Sequence, residues 1–283
     1  MSQIKFSCKR LLRPLCLRIL GNGLQEINFP TSIRVQSPDK TIKICKKLIA
    51  NKEKGAYLRF GDGDVNLLNG HGDMLQPCNA KLRMEMKEAF NLQGTGIIKS
   101  LSLHSPRFGI WPGMAPGIHA SDDRWTERLL SRCYPFFIGT PIYTSVALAY
   151  LAAFNQPIAI DFLRFLKGQK PIFVGNNKIP GDLLQKLFGK TIHIKTPEHN
   201  SYSEINRIEQ ETVDCVNQLD GEYKVIVSAM GCSGRIFAKR IYNREFNVFL
   251  FDFGSLLDAF CGWNTRAWME IAPYDIKKLL DQI

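Results

Sequence analysis

Short apolar runs alternate with amphipathic stretches along the chain from residue 52 onward. The apolar runs predict strands at residues 56–60, 135–138, 171–174, 191–194, 225–229 and 248–251. The amphipathic stretches predict helices at residues 142–154, 161–166, 181–188 and 203–219, and from a turn at 230–234 to residue 242. This alternation predicts an α/β fold with a single Rossmann-like, doubly wound and mostly parallel sheet.

The segment from residue 101 to residue 125 breaks this alternation. Its prolines and glycines are too dense for a helix or a strand. A loop this long in a compact domain is usually a lid or a substrate-binding flap. It contains side chains that stack on a sugar ring or hold a phosphate, namely His104, Arg107, Trp111, His119 and Trp125. The alternative is a structural Ω-loop whose aromatic side chains pack beneath it.

Composition narrows the class of protein. The chain has 283 residues, of which 45% are hydrophobic and 22% charged, so it can bury a full core and is neither disordered nor a coiled coil. The longest apolar segment, residues 136–154, is broken by Gly139 and Pro141, so no membrane-spanning helix is predicted. The eight cysteines are dispersed without zinc-finger spacing, which favours a reducing compartment. We therefore expect a cytoplasmic location.

Positive charge is concentrated at the amino terminus. The 37 basic and 26 acidic residues give a net charge of +11, and five basic residues precede the first acid, Glu26. Interleaved leucines favour a basic helical extension over residues 1–35, followed by one domain over residues 36–283. Such an extension suits peripheral contact with an anionic membrane surface, or a transit-like leader. The alternative is a solvated terminal segment, since Pro14 argues against one continuous helix.

The basic balance also raises the alternative of a nucleic-acid-binding module. After residue 25, however, no segment matches a helix-turn-helix, an RNP motif or a zinc finger. We therefore do not expect nucleic acid as a partner.

Two carboxylates follow the predicted strand at residues 56–60. The sequence from Arg59 to Asp64 is Arg-Phe-Gly-Asp-Gly-Asp. Open α/β sheets bind their ligands at the carboxyl ends of strands. Oxygen ligands suit Mg²⁺ and Mn²⁺, which share their remaining positions with phosphates and water. We therefore expect Asp62 and Asp64 to hold Mn²⁺ or Mg²⁺ together with a diphosphate, and the cation to act as a Lewis acid as that diphosphate leaves.

This segment also matches two other patterns. Asp-Gly is a common turn dipeptide, so an ordinary turn is the alternative. The spacing of Asp62, Asp64 and Asn66 also matches the first ligands of an EF-hand loop. That loop requires a glycine where Leu67 stands and a glutamate where Asp73 stands, so a calcium loop is excluded.

The segment resembles the Arg-Phe-Gly-Asp-Gly-Glu opening of the GT-D-fold glycosyltransferases, whose Asp-x-Glu motif is taken to bind metal and nucleotide-sugar. Gln76 and a helix that contains Leu82 follow it in the same way. The resemblance implies a metal-dependent enzyme that transfers a sugar from a nucleoside diphosphate donor, expected to be a UDP-sugar, to a glycan or glycoconjugate acceptor. It implies that Asp62 and Asp64 bind the cation and that Arg59 positions the donor. Asp64 replaces the family's glutamate, which shortens the carboxylate's reach by one methylene.

Two later segments extend the resemblance over most of the chain. The segment that contains Asn200 and Tyr202 is similar to the family's Pro-x-x-Asn-Ala-Phe segment before a long helix. Residues 225–252 resemble the family's closing strand, glycine turn, helix and strand. These similarities imply donor-binding roles for Asn200, Tyr202 and Asp252. The family's histidine after this unit is Ser255 here, so that role is not transferred.

The closing unit also fits a second class of enzyme. Gly231 and Gly234 lie between a predicted strand and a helix whose N-terminus can bind phosphate through its free N–H groups. Asp252 follows at the end of the next strand, near the place of the ribose-binding acid in dinucleotide-binding folds. An NAD-dependent oxidoreductase is therefore the alternative. The dinucleotide-binding motif has three glycines and this turn has two, which argues against that alternative. If the turn binds no ligand, its glycines serve the packing of helix against strand.

An inverting sugar transfer requires a carboxylate near the acceptor hydroxyl. Asp258 is the first candidate for this base, and Glu204, beside Tyr202, is the second. A surface position on a helix is the alternative for both, and a retaining transfer needs no such base.

Overall fold

A parallel sheet of eight strands forms the centre of the part of the chain that the structure describes. This structure is a computed structural model, and its described residues are 30, 33–109, 122–219, 223–266, 268–272 and 275–283. The strands are β1 (Val35–Gln36), β2 (Gly55–Phe60), β3 (Ile97–Leu101), β4 (Ile142–Thr144), β5 (Ile172–Asn176), β6 (His193–Thr196), β7 (Lys224–Ala229) and β8 (Val248–Asp252). Their order is β1-β4-β3-β2-β8-β7-β5-β6, with every neighbouring pair parallel. The predicted α/β fold with one doubly wound sheet is confirmed.

Helices connect the strands. They are α1 (Pro38–Ala50), α2 (Asp62–Leu68), α3 (Ala80–Asn91), α4 (Asp123–Ser131), α5 (Ala147–Phe154), α6 (Gln156–Gly168), α7 (Gly181–Phe188), α8 (Ile205–Asn217), α9 (Ser233–Tyr242), α10 (Leu256–Cys261) and α11 (Trp268–Ile271). The described part of the chain also has 3-10 helices at Tyr134–Phe137, Ser201–Glu204 and Ile276–Gln282. Within the described ranges, no helix combines the length and the apolar character that a membrane crossing demands.

The central strands are apolar along their length because helices cover the sheet on both faces. The helices form two packed groups, one around α3 and α9 and the other around α1, α5 and α6. All five residues of β8 are buried. Aromatic rings join strand to strand and strand to helix: Tyr57 stacks on Phe251 with ring centroids 5.3 Å apart, and Phe60 stacks on Phe90 with centroids 3.9 Å apart. This rigid core fixes the positions of the loops that follow each strand.

Two predicted elements near residue 140 are wrong. Residues 135–138, predicted as a strand, belong to the 3-10 helix Tyr134–Phe137. Pro135 lacks the N–H that a central strand donates, and the apolar side chains beside it are buried without strand pairing. The helix predicted over residues 142–154 is divided into β4 and α5, because residues 143 and 144 pair with β3 instead of continuing a helix.

The alternation of apolar and polar residues also did not predict β3. Lys99 and Ser100 interrupt its apolar run, yet both side chains are buried. The Lys99 ammonium donates to the backbone carbonyl of Phe90 at 3.0 Å and to that of Phe136. Internal carbonyl partners therefore allow a charged side chain on a central strand.

Part of the sequence prediction falls on residues that lie outside the described ranges. These are residues 1–29, which hold most of the predicted basic extension, and residues 110–121, which contain Trp111 and His119. The extension, its membrane contact and the boundary after residue 35 stay predictions.

Candidate active site

A pocket of about 260 Å³ opens at the carboxyl edge of the sheet. It lies where β2, β8, β7, β5 and β6 end, and its lining includes residues from each of these ends: Arg59, Asp252, Ala229, Asn176 and Thr196. Ligands of open α/β sheets collect at this edge. The core holds the strand ends that contribute to this lining.

Four charged side chains form a compact group, which we call the charged cluster: Arg59, Arg235 and Asp252, which line the pocket, and Asp64, which does not. Arg59 Nη1 lies 3.3 Å from Asp252 Oδ1, and Arg235 Nη1 lies 2.9 Å from Asp252 Oδ2. Arg235 Nε lies 3.3 Å from Asp64 Oδ1. Two guanidinium groups therefore share the Asp252 carboxylate, and one of them also reaches Asp64.

Backbone geometry fixes the orientation of Arg59. Its Nε donates to the backbone carbonyl of Ser145, which follows β4. Gly254 adopts φ of +68°, and a Cβ at this position would overlap Arg59 Nη1. Glycine is therefore required at residue 254 both for its left-handed backbone and for the space that the guanidinium occupies.

Asp64 is buried at the start of α2. Its Oδ2 accepts a hydrogen bond from the Gly61 N–H at 2.8 Å, while its Oδ1 is buried with no hydrogen-bond partner. Burial raises the pKa of Asp64 to about 6, although Arg235 and the Gly61 N–H oppose the rise. Helix capping and the ion pair with Arg235 account for the position of this carboxylate.

The two predicted cation ligands differ in exposure and in partners in this structure. Asp62 is the first residue of α2 and is exposed, whereas the Asp64 side chain is only 3% exposed and faces Arg235. Asp73, the next acid, accepts from the N–H groups of Leu75 and Gln76 and from the Cys232 thiol. Within the described ranges, no three His, Cys, Asp or Glu side chains gather closely enough to hold a metal. Asp64 Oδ1 accepts no hydrogen bond but pairs with Arg235 Nε, so this donor set does not fit a divalent cation. Mn²⁺ or Mg²⁺ at Asp62 and Asp64 stays a prediction.

Asn200 and Tyr202 support the pocket wall from behind, since neither is among the lining residues. Asn200 has a left-handed backbone with φ of 51°, and its N–H donates to the Leu75 carbonyl at 2.7 Å. The buried Gln76 side chain donates to Asn200 Oδ1 at 2.7 Å and accepts from the Tyr202 N–H at 3.1 Å. The pocket lining contains Gln76, which bonds to both residues, and Ser201, which lies between them in the sequence.

Tyr202 also connects this wall to a buried ionic network. Its hydroxyl donates to Glu85 Oε1 at 2.8 Å, and Arg240 binds the same carboxylate with Nε and Nη2, each at 2.6 Å. Burial acts to raise the pKa of Glu85, but the hydrogen bonds from Arg240 and Tyr202 lower it to about 2. The network joins α3 to α9 beneath the pocket.

The two predicted glycines have different positions. Gly231 lines the pocket with φ of +56°, and its carbonyl accepts from Arg235 Nη1. Gly234 is buried in the first turn of α9, where a Cβ would lie 3.5 Å from the Met230 Cβ. Gly231 therefore faces the ligand space, and Gly234 belongs to the packing between helix and strand.

The two candidate bases also differ. Asp258 lines the pocket, accepts a hydrogen bond from Thr265 Oγ1 at 2.7 Å, and has its pKa raised by burial. Glu204 is 44% exposed, pairs with Arg207 and lies outside the pocket lining. Of these two candidates, Asp258 lines the pocket and Glu204 does not.

The described part of the proline- and glycine-rich segment contributes nothing to the pocket lining. Arg107 pairs with Glu127, and burial lowers the pKa of His104. Trp125 is exposed on α4.

Sequence reasoning missed several pocket residues, chiefly Arg235 and the group Trp263, Thr265 and Arg266. One signal for Arg235 was present in the sequence. A basic residue in the first turn of a helix opposes the helix dipole, so its presence in the first turn of α9 indicates a nearby negative partner. The residues after α10 carry no comparable pattern.

The fold is similar to solved structures of a domain of unknown function, DUF1792. One, described as having a distinct glycosyltransferase fold, has a TM-score of 0.61 at 16% identity and covers 82% of each chain. Another, described as a new glycosyltransferase (DUF1792) from Streptococcus sanguinis, has a TM-score of 0.58 at 16% identity and covers 82% of this chain and 84% of that one. No protein-family model and no curated protein matches this chain. The chain therefore shares the fold of these structures.

Proposed function

We propose that this protein is a glycosyltransferase that moves a sugar from a nucleoside diphosphate donor, expected to be a UDP-sugar, to a hydroxyl of a glycan or glycoconjugate. One observation carries the proposal: Arg59 and Arg235 line the pocket, and both of their guanidinium groups pair with the Asp252 carboxylate. The description of similarly folded structures as glycosyltransferases supports the same activity.

The carboxyl edge offers the groups that a diphosphate needs. Planar guanidinium groups bind phosphate oxygens through two parallel N–H donors. The turn at Gly231 leads directly into α9, a ten-residue helix whose first N–H groups add partial positive charge. The leaving diphosphate gains negative charge as its bond to the sugar breaks, and fixed positive groups stabilise that charge.

Asp258 fits the role of the base in an inverting transfer. The acceptor oxygen attacks the anomeric carbon, the bond from that carbon to the diphosphate oxygen breaks, and the acceptor's proton goes to Asp258. A raised pKa suits this task, because a general base is most effective when its pKa is near the working pH. Glu204 is not part of the proposal, because its position outside the pocket lining offers no route to the acceptor.

The alternative of an NAD-dependent oxidoreductase is less well supported by the contacts of Asp252. In a dinucleotide-binding fold the corresponding acid accepts hydrogen bonds from ribose hydroxyls. Here each oxygen of Asp252 already pairs with a guanidinium group. The arrangement therefore favours a ligand that the two arginines bind.

The proposal is tested by release of nucleoside diphosphate from a panel of UDP-, GDP- and dTDP-sugars. We expect turnover of at least one donor, and a loss in kcat/KM of about tenfold or more in Arg59→Met. Arg207→Met is the matched control, since Arg207 pairs with Glu204 and Glu211 on the surface. Equal turnover by wild type and Arg59→Met, or binding of NAD without binding of any sugar nucleotide, would contradict the proposal.

A further inference from the structure

Arg235 occupies the position between two buried carboxylates. Its side chain is 11% exposed, that of Asp252 is 9% exposed, and Asp64 on its other side is more deeply buried. Its Nε faces Asp64 Oδ1 at 3.3 Å and its Nη1 faces Asp252 Oδ2 at 2.9 Å. One guanidinium group therefore bridges the acid at the start of α2 and the acid at the end of β8.

Two further donors of this guanidinium bind the backbone, which leaves one of its five N–H groups, on Nη2, for a ligand. Nη2 donates to the Arg59 carbonyl at the end of β2, and Nη1 also donates to the Gly231 carbonyl. Burial opposes the charge of Arg235, but Asp252 and Asp64 outweigh it and raise the pKa of the guanidinium. The positive charge is therefore permanent and held in place by β2, by the turn before α9 and by both carboxylates.

A divalent cation that used the same carboxylates would compete with this group. A metal ion bridging Asp64 and Asp252 would need the space that the guanidinium fills, and the like charges would repel each other. Asp62 is exposed and outside the pocket lining, so it does not provide a separate site inside the pocket.

We infer that Arg235 is the resident cation of this site, and that the donor's diphosphate binds against Arg235 and Arg59 without a divalent metal. This inference rests on the proposed function, because it concerns how the same donor is held. Asp64 and Asp252 balance the charges of the two arginines, so the charged cluster is neutral as a whole and offers the diphosphate directed N–H donors instead of an excess of charge. Arg266, which also lines the pocket, supplies a positive charge outside the cluster.

The first test is calorimetric titration of UDP into the wild-type protein, once with EDTA and once with Mn²⁺. We expect dissociation constants that agree within about threefold, because the fixed guanidinium groups supply the positive charge in both conditions. Binding of UDP in Mn²⁺ but not in EDTA would overturn the inference while leaving the proposed function intact. If UDP binds in neither condition, and GDP and dTDP titrated in its place do not bind either, the proposed function itself fails.

The second test measures metal uptake directly, through the electron paramagnetic resonance signal of free Mn²⁺ in the presence of wild-type protein. We expect the signal to stay at the level of buffer alone. Uptake by wild type that is lost in Asp64→Asn would overturn the inference.

The third test replaces the residue. Arg235→Met is expected to weaken UDP binding in EDTA by about tenfold or more, and Arg207→Met to leave it unchanged. Unchanged affinity in Arg235→Met would contradict the inference. Removal of a buried charge partner can also prevent folding, so circular dichroism is recorded for each variant. If Arg235→Met does not fold, the titration of wild-type protein in EDTA and in Mn²⁺ still tests the inference.

Discussion

Gly254 shows how one residue determines the geometry of the site. It lies directly after Asp252 and Phe253, and its missing side chain leaves the space in which the Arg59 guanidinium pairs with Asp252. The Asp-x-Gly pattern after β8 therefore has a physical reason that does not depend on any ligand. The positive φ of residue 254 adds a backbone requirement to the steric one.

Gly254→Ala is expected to destabilise the protein by about 1–3 kcal/mol, because the new Cβ adds strain at a positive φ and displaces Arg59. UDP binding should weaken with it. Gly168→Ala is the matched control, since nothing lies within 4 Å of a Cβ at that helical position, and its stability should change by less than about 1 kcal/mol. Urea unfolding of both variants makes the comparison, and equal stability of the two would contradict this account of residue 254.

The sequence predicted the positions of some residues of the site but not of others. Arg59, Gly231, Asp252 and Asp258 line the pocket, since residues after parallel strands share one edge of the sheet. The direction of the Asp62 and Asp64 side chains did not follow from their spacing, because the helical turn after Gly61 separates them into an exposed and a buried position. Arg235 was missed because its two carboxylate partners are distant in sequence.

At the scale of the elements, the Glu85 network explains why the wall behind the pocket is rigid. Arg240 of α9 binds Glu85 of α3 and also pairs with Glu209 of α8 at 2.9 Å. Tyr202 brings the 3-10 helix before α8 into the same network. Three helices and the loop that carries Asn200 are thereby held in one arrangement.

Glu85→Gln is expected to reduce the free energy of unfolding by about 2–3 kcal/mol at pH 7. The pKa of Glu85 is lowered to about 2 in the folded state from 4.5, so its ionised form stabilises the fold fully above pH 4.5. This stabilisation is lost as the pH falls from 4.5 toward 2, so wild type and variant should converge over that range.

Denaturant unfolding from pH 7 to pH 3 measures this convergence. Glu88→Gln is the control, because Glu88 is 52% exposed and pairs with Lys239 at 2.7 Å. We expect a small change in that variant with little dependence on pH. A difference between wild type and Glu85→Gln that does not shrink toward acid pH would contradict the role given to the Glu85 carboxylate.

Element prediction succeeded where local patterns decide structure and failed where pairing decides it. Strands β5, β7 and β8 were predicted within two residues at each end because buried parallel strands are continuous apolar runs. Strand β4 has three residues inside a longer apolar segment, and its pairing with β3 outweighs the helical pattern. The same long-range pairing makes Lys99 part of a strand.

At the scale of the whole molecule, the doubly wound sheet brings five strand ends to one pocket. The alternation of strands and helices predicted this class of fold, because parallel strands require long crossover connections. The strand order did not follow from the sequence, since pairs such as β2 with β8 join segments nearly 200 residues apart. It is this pairing that places Arg59 beside Asp252 and makes one site out of two distant motifs.

The central claim is that a nucleoside diphosphate binds at the carboxyl edge of the sheet, and hydrogen–deuterium exchange with and without UDP tests it most directly. We predict slower exchange in residues 229–235 and 252–258, which surround the charged cluster, and no change in residues 51–54 and 243–247 at the opposite edge. Protection confined to the opposite edge, or no protection at saturating UDP, would contradict the account.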